Sequence, residues 1–207
     1  TLGLKLQIFL HSPEFAQKFP KATIYLDEGS MNNHIEKLRQ GALDLCYNAL
    51  PAPDPTSQLK LIPTSTAEIY ATMLPSHPLA VFEKIDLHQL SDTDIILLDA
   101  KSCIQGQIME EFQRLGILPR IRSTHEQIFC MLNMVKLGNF VGFLNASDPI
   151  MRQYLTDIGL IIRPLDPPVT LAAGFIVNTR RHLPKLAEEL ISFTRRLETE
   201  GTAKETQ

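Results

Sequence analysis

The sequence predicts an α/β protein built from two similar lobes. Three observations carry that prediction. One pattern occurs twice, at residues 30–47 and 124–144: a hydroxyl cap, an amphipathic helix, a terminating glycine and a short apolar strand. Each copy is preceded by a further strand candidate. Ile95-Ile96-Leu97-Leu98 is an unbroken apolar run, the signature of a parallel strand covered on both faces. Two lobes of this kind make a cleft, and a cleft at the ends of parallel strands takes a ligand.

The elements follow in order. Residues 2–19 are rich in apolar side chains and read as helical, with a break at Ser12-Pro13-Glu14, where serine caps and proline suits the first helical position. Phe15 and Phe19 share a face, and Pro20 ends that helix. Residues 22–27 read as a strand with Ile24 and Leu26 on one side. Ser30 caps the next helix, Met31, Ile35 and Leu38 form its buried stripe, and Gly41 terminates it. Residues 43–47 are the following strand, 51–55 a rigid proline loop, 59–62 and 68–74 two strands, 75–79 a turn and 86–90 a helical turn.

The second half opens at Asp94 with the apolar run. A helix then carries Ile104, Ile108, Phe112 and Leu115 on one face and ends at Gly116. A strand near 119–122 leads to Thr124, which forms a capping box with Gln127. That helix buries Ile128, Leu132 and Val135 and closes at Gly138. Residues 141–144 are a strand, Asp148-Pro149 opens a short helix, and 171–177 is a return strand. Pro184 opens a last helix with Leu186, Leu190, Phe193 and Leu197 on one face, before a polar tail. The first lobe lacks the opening strand that the second has, so a strand is expected ahead of Thr1, in a longer protein.

Composition narrows the function. The chain has 207 residues, 44% of them hydrophobic, and a net charge of −3, which argues against disorder for most of the chain and against a nucleic-acid-binding surface. No apolar run approaches the roughly 18 residues of a membrane span. The N-terminal residues lack the basic segment and cleavage region of a signal peptide. Cys46, Cys103 and Cys130 are widely spaced, which fits a reducing compartment and a cytoplasmic location and argues against disulfides or a zinc site. The six histidines have no metal-ligand spacing, and no phosphate loop or nucleophile elbow is visible. The expectation is a protein that is not an enzyme and holds no cofactor or metal.

Several segments resemble one family. Phe15-Ala16-Gln17-Lys18-Phe19-Pro20-Lys21-Ala22 resembles the F-x-x-x-Y/F-P-x-V segment of LysR-type transcriptional regulators. Glu28-Gly29-Ser30 and Leu38-Arg39-Gln40-Gly41-Ala42-Leu43-Asp44-Leu45 resemble its E-G-S/T and L-x-x-G-x-L/I-D-L/A segments. Leu74-Pro75-Ser76-His77-Pro78-Leu79-Ala80 and Gly116-Ile117-Leu118-Pro119-Arg120 are similar to L-P-x-x-H-P-L-A and G-I/F-x-P-R. Residues 136–142 depart from the usual glycine pattern at Asn139 and Phe140. The ordered set runs from residue 1 to about 197.

The resemblance implies the effector-binding domain of such a regulator, with the two-lobed fold of type II periplasmic binding proteins. Each lobe would be a mainly parallel sheet flanked by helices. Lobe I would hold 1–65 plus 179–207, and lobe II 66–178, joined by crossing strands near 69–74 and 171–177. It also implies side-by-side homodimers, tetramers in the full-length protein, and DNA contact only through a winged helix-turn-helix domain outside this chain, with no membrane partner.

In lobes of this kind the helix N-termini converge on the cleft and present free N–H groups and partial positive charge. The candidate effector-binding residues are Thr1, Ser30, Met31, Ser102, Cys103, Thr124, His125 and Phe143. The hydroxyls among them read equally as helix caps. A small anionic or zwitterionic metabolite is the expected ligand. Cys103 lies near a helix N-terminus, where a thiolate is stabilised. The family's peroxide-sensing branch places its reactive cysteine in this loop, but its partner cysteine is absent here. Redox sensing therefore stands as an alternative, as does the solute-binding protein of a transporter. Cys46 and Cys130 fall on apolar faces and read as core.

Overall fold

The computed structural model describes residues 13–27, 29, 31–50 and 58–204. The chain forms two compact units, Thr1–Thr66 with Ala172–Gln207, and Ala67–Leu171. The return into unit one thus falls at Ala172, whereas the sequence reading drew it at 179.

Unit two is a doubly covered sheet. Its strands are the later part of β2 (Leu59–Met73), β4 (Asp94–Leu98), β5 (Arg120–His125) and β6 (Val141–Asn145), in the order β2-β6-β4-β5. β4 pairs in parallel with both β5 and β6, and β2 runs antiparallel to β6. Central position explains the apolar run: Ile95, Ile96 and Leu97 are all fully buried. Adjacent strand residues point to opposite faces. Leu144 packs with Met131, Leu132 and Val135 of α4 (Ile128–Leu137), while Phe143 meets Phe112 of α3 (Cys103–Arg114) edge-on, ring centroids 6.3 Å apart. The two helices therefore cover different faces. α5 (Pro149–Asp157) starts where Asp148 caps Ile150 N–H at 2.7 Å, as its Asp-Pro dipeptide predicts. The expected turns around His77 and at 86–90 are short 3₁₀ helices, capped by His77 Nδ1 and by an Asp86–Gln89 capping box. β3 (Ile85–Asp86) pairs in parallel with β7 (Ile161–Asn178).

Unit one contains α1 (Pro13–Lys18), α2 (Met31–Gln40), β1 (Cys46–Leu50), the ends of β2 and β7, and α6 (Lys185–Lys204). β1 pairs antiparallel with β7. α6 buries Ala187, Leu190, Ile191 and Thr194 rather than a strict i, i+4 line. Leu38, Cys46, Leu59 and Ile176 form one core cluster, with Met31 and Ile35 against it.

Four expectations are corrected. The strand placed at 43–47 begins only at Cys46, because 41–43 cap α2. Gly41 sits at φ 77°, its N–H reaches Leu38 O at 3.2 Å, and Ala42 N–H reaches Lys37 O at 2.8 Å. Gly138 ends α4 differently, in extended backbone at φ −159°. The strands expected at 59–62 and 68–74 are one long strand, β2, and the return strand expected at 171–177 is the end of β7, which starts at Ile161. Residues 22–27 form no strand, and Tyr25 and Leu26 are 86% and 56% exposed. No described helix is long and apolar enough to cross a membrane.

Candidate functional site

The carboxyl ends of β4, β5 and β6 carry the polar groups of unit two. β4 stops at Leu98, and Asp99 N–H donates to His125 O at 2.9 Å, which fastens the loop after β4 to the end of β5. Asp99 Oδ1 accepts Lys101 N–H at 3.1 Å and Asp99 O accepts Ser102 N–H at 2.9 Å. Such an Asx turn aims the chain into a helix. Ser102 is the N-cap of the 12-residue α3, with φ −83° and ψ 126°, yet its hydroxyl makes no capping bond. The N–H groups of Cys103 and Ile104 at the helix start face the Cys103 thiol instead. Cys103 opens the helix and is half-buried. Burial pushes its thiol up, and the Ile104 N–H at the helix start offsets this only in part.

Thr124 does not cap. It lies inside β5 opposite Leu97, and α4 starts at Ile128 behind Gln127, which makes no side-chain capping bond. The expected capping box is absent because parallel pairing with β4 holds the chain extended as far as His125. Thr124 is exposed, and His125 is half-buried with its Nε2 2.9 Å from Ser123 Oγ. Lys101 Nζ donates to Glu126 Oε1 at 2.7 Å and stands 3.7 Å from Asp99, so it ties the two loops together.

The antiparallel register Ile69↔Asn145 brings the start of the unit-two part of β2 to the same edge. There Tyr70 Oη donates to Glu68 at 2.8 Å, and Arg152 donates to Tyr70 Oη at 2.9 Å and to Ala146 O at 2.6 Å. Sequence reasoning missed Asp99, Lys101, Glu126 and this triad. The Asx pattern Asp99-Ala100-Lys101-Ser102 was a readable signal for the first. Nothing local marks Arg152, which reaches its partners across the fold.

Asp99, at the start of the loop that leads to Ser102 and Cys103, is bonded to His125 at the end of β5, and Thr124 precedes it on that strand. Phe143 is not among them: it is a fully buried core residue of β6. Met31 opens α2 in unit one, where its Sδ accepts from Asn48 Nδ2 at 3.8 Å. Thr1 and Ser30 lie outside the described residues. Cys130 is exposed, not core, whereas Cys46 is buried.

Burial pushes the Cys46 thiol from 9.0 up to about 11. A pKa raised by folding contributes stability that is complete below pH 9 and lost as pH rises towards 11. The unfolding free energy should fall by roughly 2 kcal/mol over that window. Urea midpoints at pH 8 and pH 11 check this, and Cys46→Ala should show the smaller pH dependence.

A parallel α/β unit with polar side chains gathered at its strand ends is the scaffold of a small-molecule-binding module. Residues 11–198 match the LysR substrate binding domain family, and the chain belongs to that family. The fold is the type II periplasmic-binding-protein-like fold of its domains. The effector binding domain of BenM with its effector benzoate superposes with a TM-score of 0.80 at 20% identity, covering 98% of this chain and 88% of that one. The effector binding domain of QuiR in complex with shikimate gives 0.79 at 17% identity, covering 97% and 91%. A probable hydrogen peroxide-inducible genes activator of Mycobacterium avium is 28% identical over 109 residues, 53% of this chain and 34% of that protein. The chain thus spans about a third to a half of the curated relatives it matches. LysR-type effector domains are regulatory and not enzymes, in agreement with the sequence reading.

Proposed function

We propose that this chain senses a small anionic or zwitterionic metabolite at the carboxyl edge of unit two, through Ser102, Cys103 and the Thr124–His125 end of β5. The observation that carries the reading is the uncommitted Ser102 hydroxyl at the N-terminus of α3. Benzoate and shikimate, the ligands of the two similar domains, are both carboxylates. Binding would shift the population between conformations of unequal affinity, and the full-length cytoplasmic regulator would pass that shift to a DNA-binding domain outside this chain. Thiol sensing through Cys103 is disfavoured, because burial holds the thiol protonated.

Thermal-shift titration with benzoate, shikimate and related carboxylates tests this. A ligand at 100 times its dissociation constant stabilises by about 2.7 kcal/mol. Ser102→Ala should weaken the hit about 10- to 100-fold, the worth of a hydrogen bond to a charged group. Unchanged affinity in Ser102→Ala would refute the placement, and a peroxide-dependent shift lost in Cys103→Ser would favour the thiol reading.

The domain is further proposed to form homodimers, with tetramers in the full-length protein. Leu118 and Leu137 of unit two are 89% and 78% exposed, and Ile121 on β5 and Phe129 on α4 are also exposed. Light scattering on the purified domain should give the mass of a dimer, and a monomer mass at high micromolar concentration would count against it.

A further inference from the structure

Arg152 stands at the carboxyl edge of unit two with its charge unspent. It lies in α5, one helical turn after Asp148, whose carbonyl accepts its N–H at 3.1 Å. Its Nε donates to Ala146 O at 2.6 Å and its Nη2 to Tyr70 Oη at 2.9 Å. The guanidinium also lies over the Tyr70 ring, 5.0 Å from the centroid. Tyr70 is only 8% exposed and belongs to the core cluster of Met131 and Leu144, so the anchor is a rigid one. A guanidinium has five N–H donors, and these bonds use one on Nε and one on Nη2. The donors that remain, on Nη1 and Nη2, have no partner among the described residues, and the residue is exposed.

The neighbouring charges are committed. Lys101 is held by Glu126 at 2.7 Å and by Asp99 at 3.7 Å. Asp148 caps the Ile150 N–H. Glu68 accepts the Tyr70 hydroxyl at 2.8 Å and is linked to Arg152 through that hydroxyl. Arg152 forms no ion pair with a carboxylate among the described residues. β4 and β6 are adjacent and parallel, with Ile96 opposite Gly142. The loop from Asp99 to Ser102 and the turn at Ala146 therefore leave the sheet at the same end, from strands about 4.8 Å apart. A guanidinium fork fixed by its own bonds matches a planar carboxylate and loses little freedom on binding one.

We infer that Arg152 takes the carboxylate of the ligand. The assignment rests on the reading of this edge as the ligand site, and it makes the ligand a carboxylate whose neutral amide is rejected.

The test is thermal-shift titration with benzoate beside benzamide, and with each further carboxylate of the titration above beside its own amide. The unsubstituted protein should bind the carboxylate about 10- to 100-fold more tightly than the amide, the worth of a hydrogen bond to a charged group. Arg152→Met should bring the two within about threefold, and Arg152→Lys, which keeps the charge but not the fork, should restore part of the preference. The ratio is taken within each variant, so a general loss of stability cancels. An unchanged ratio in Arg152→Met, with binding still weakened by Ser102→Ala, would overturn the assignment and leave the site standing. Equal binding of carboxylate and amide by the unsubstituted protein would also overturn it. No response to any carboxylate would sink the assignment and the proposed function together.

Discussion

Phe112→Ala is expected to lower the unfolding free energy by about 3–5 kcal/mol, the range for deleting a fully buried aromatic ring. Phe112 has no solvent exposure and packs edge-on against Phe143, itself almost completely buried. The neighbours come from a helix and a central strand, so they cannot close onto the space left. Such a loss is a large fraction of the roughly 5–15 kcal/mol that stabilises an ordinary domain. Urea unfolding should show the midpoint fall with little change in slope. A double-mutant cycle with Phe143→Leu should report a coupling of about 0.5–1.5 kcal/mol for the ring pair. A loss below 1 kcal/mol in Phe112→Ala would mean that the ring is not packed as described.

Gly174→Ala is expected to cost about 3 kcal/mol, the upper end for overpacking. A Cβ at Gly174 would stand 2.2 Å from Ile62 O and 2.8 Å from Pro63 Cα. Both are backbone atoms of β2, and no rotamer change relieves the clash. On its other side β7 holds Gly174 opposite Asn48 of β1, so the strand cannot move away without losing that pairing. Gly106 is the natural control. It lies inside α3, and a Cβ there meets nothing within 4 Å. Gly106→Ala should therefore stabilise by roughly 0.5–1 kcal/mol through helix propensity. Paired melts of the two variants give opposite signs if the β2–β7 approach is as close as the structure has it.

Local sequence was enough for the positions of the described helices, several of their ends and the central strand of unit two. Pro13, Asp148-Pro149, Gly41 and Gly116 act on the residues beside them, and Ile95-Ile96-Leu97-Leu98 states its own burial. The ordered motifs, from the phenylalanines of α1 to the Gly-Ile-Leu-Pro-Arg segment, were enough to reach the family. Ser102 and Cys103 were legible as site candidates because a strand followed by a capping residue is a local pattern.

Tertiary structure decided the rest. Thr124 looks like a cap until β4 pairs with it and holds it in β5. Phe143 looks free to meet a ligand until α3 lays Phe112 against it. Cys130 sits in an apolar stretch but on the outer side of α4, because the sheet chose Met131, Leu132 and Val135. Arg152 joins the edge through Ala146 O and through Tyr70, the latter far away in sequence. Residues 22–27 have the composition of a strand and none of the pairing. Helix periodicity and capping are settled within a few neighbouring residues, whereas a strand and a buried face exist only once a distant segment supplies the other half.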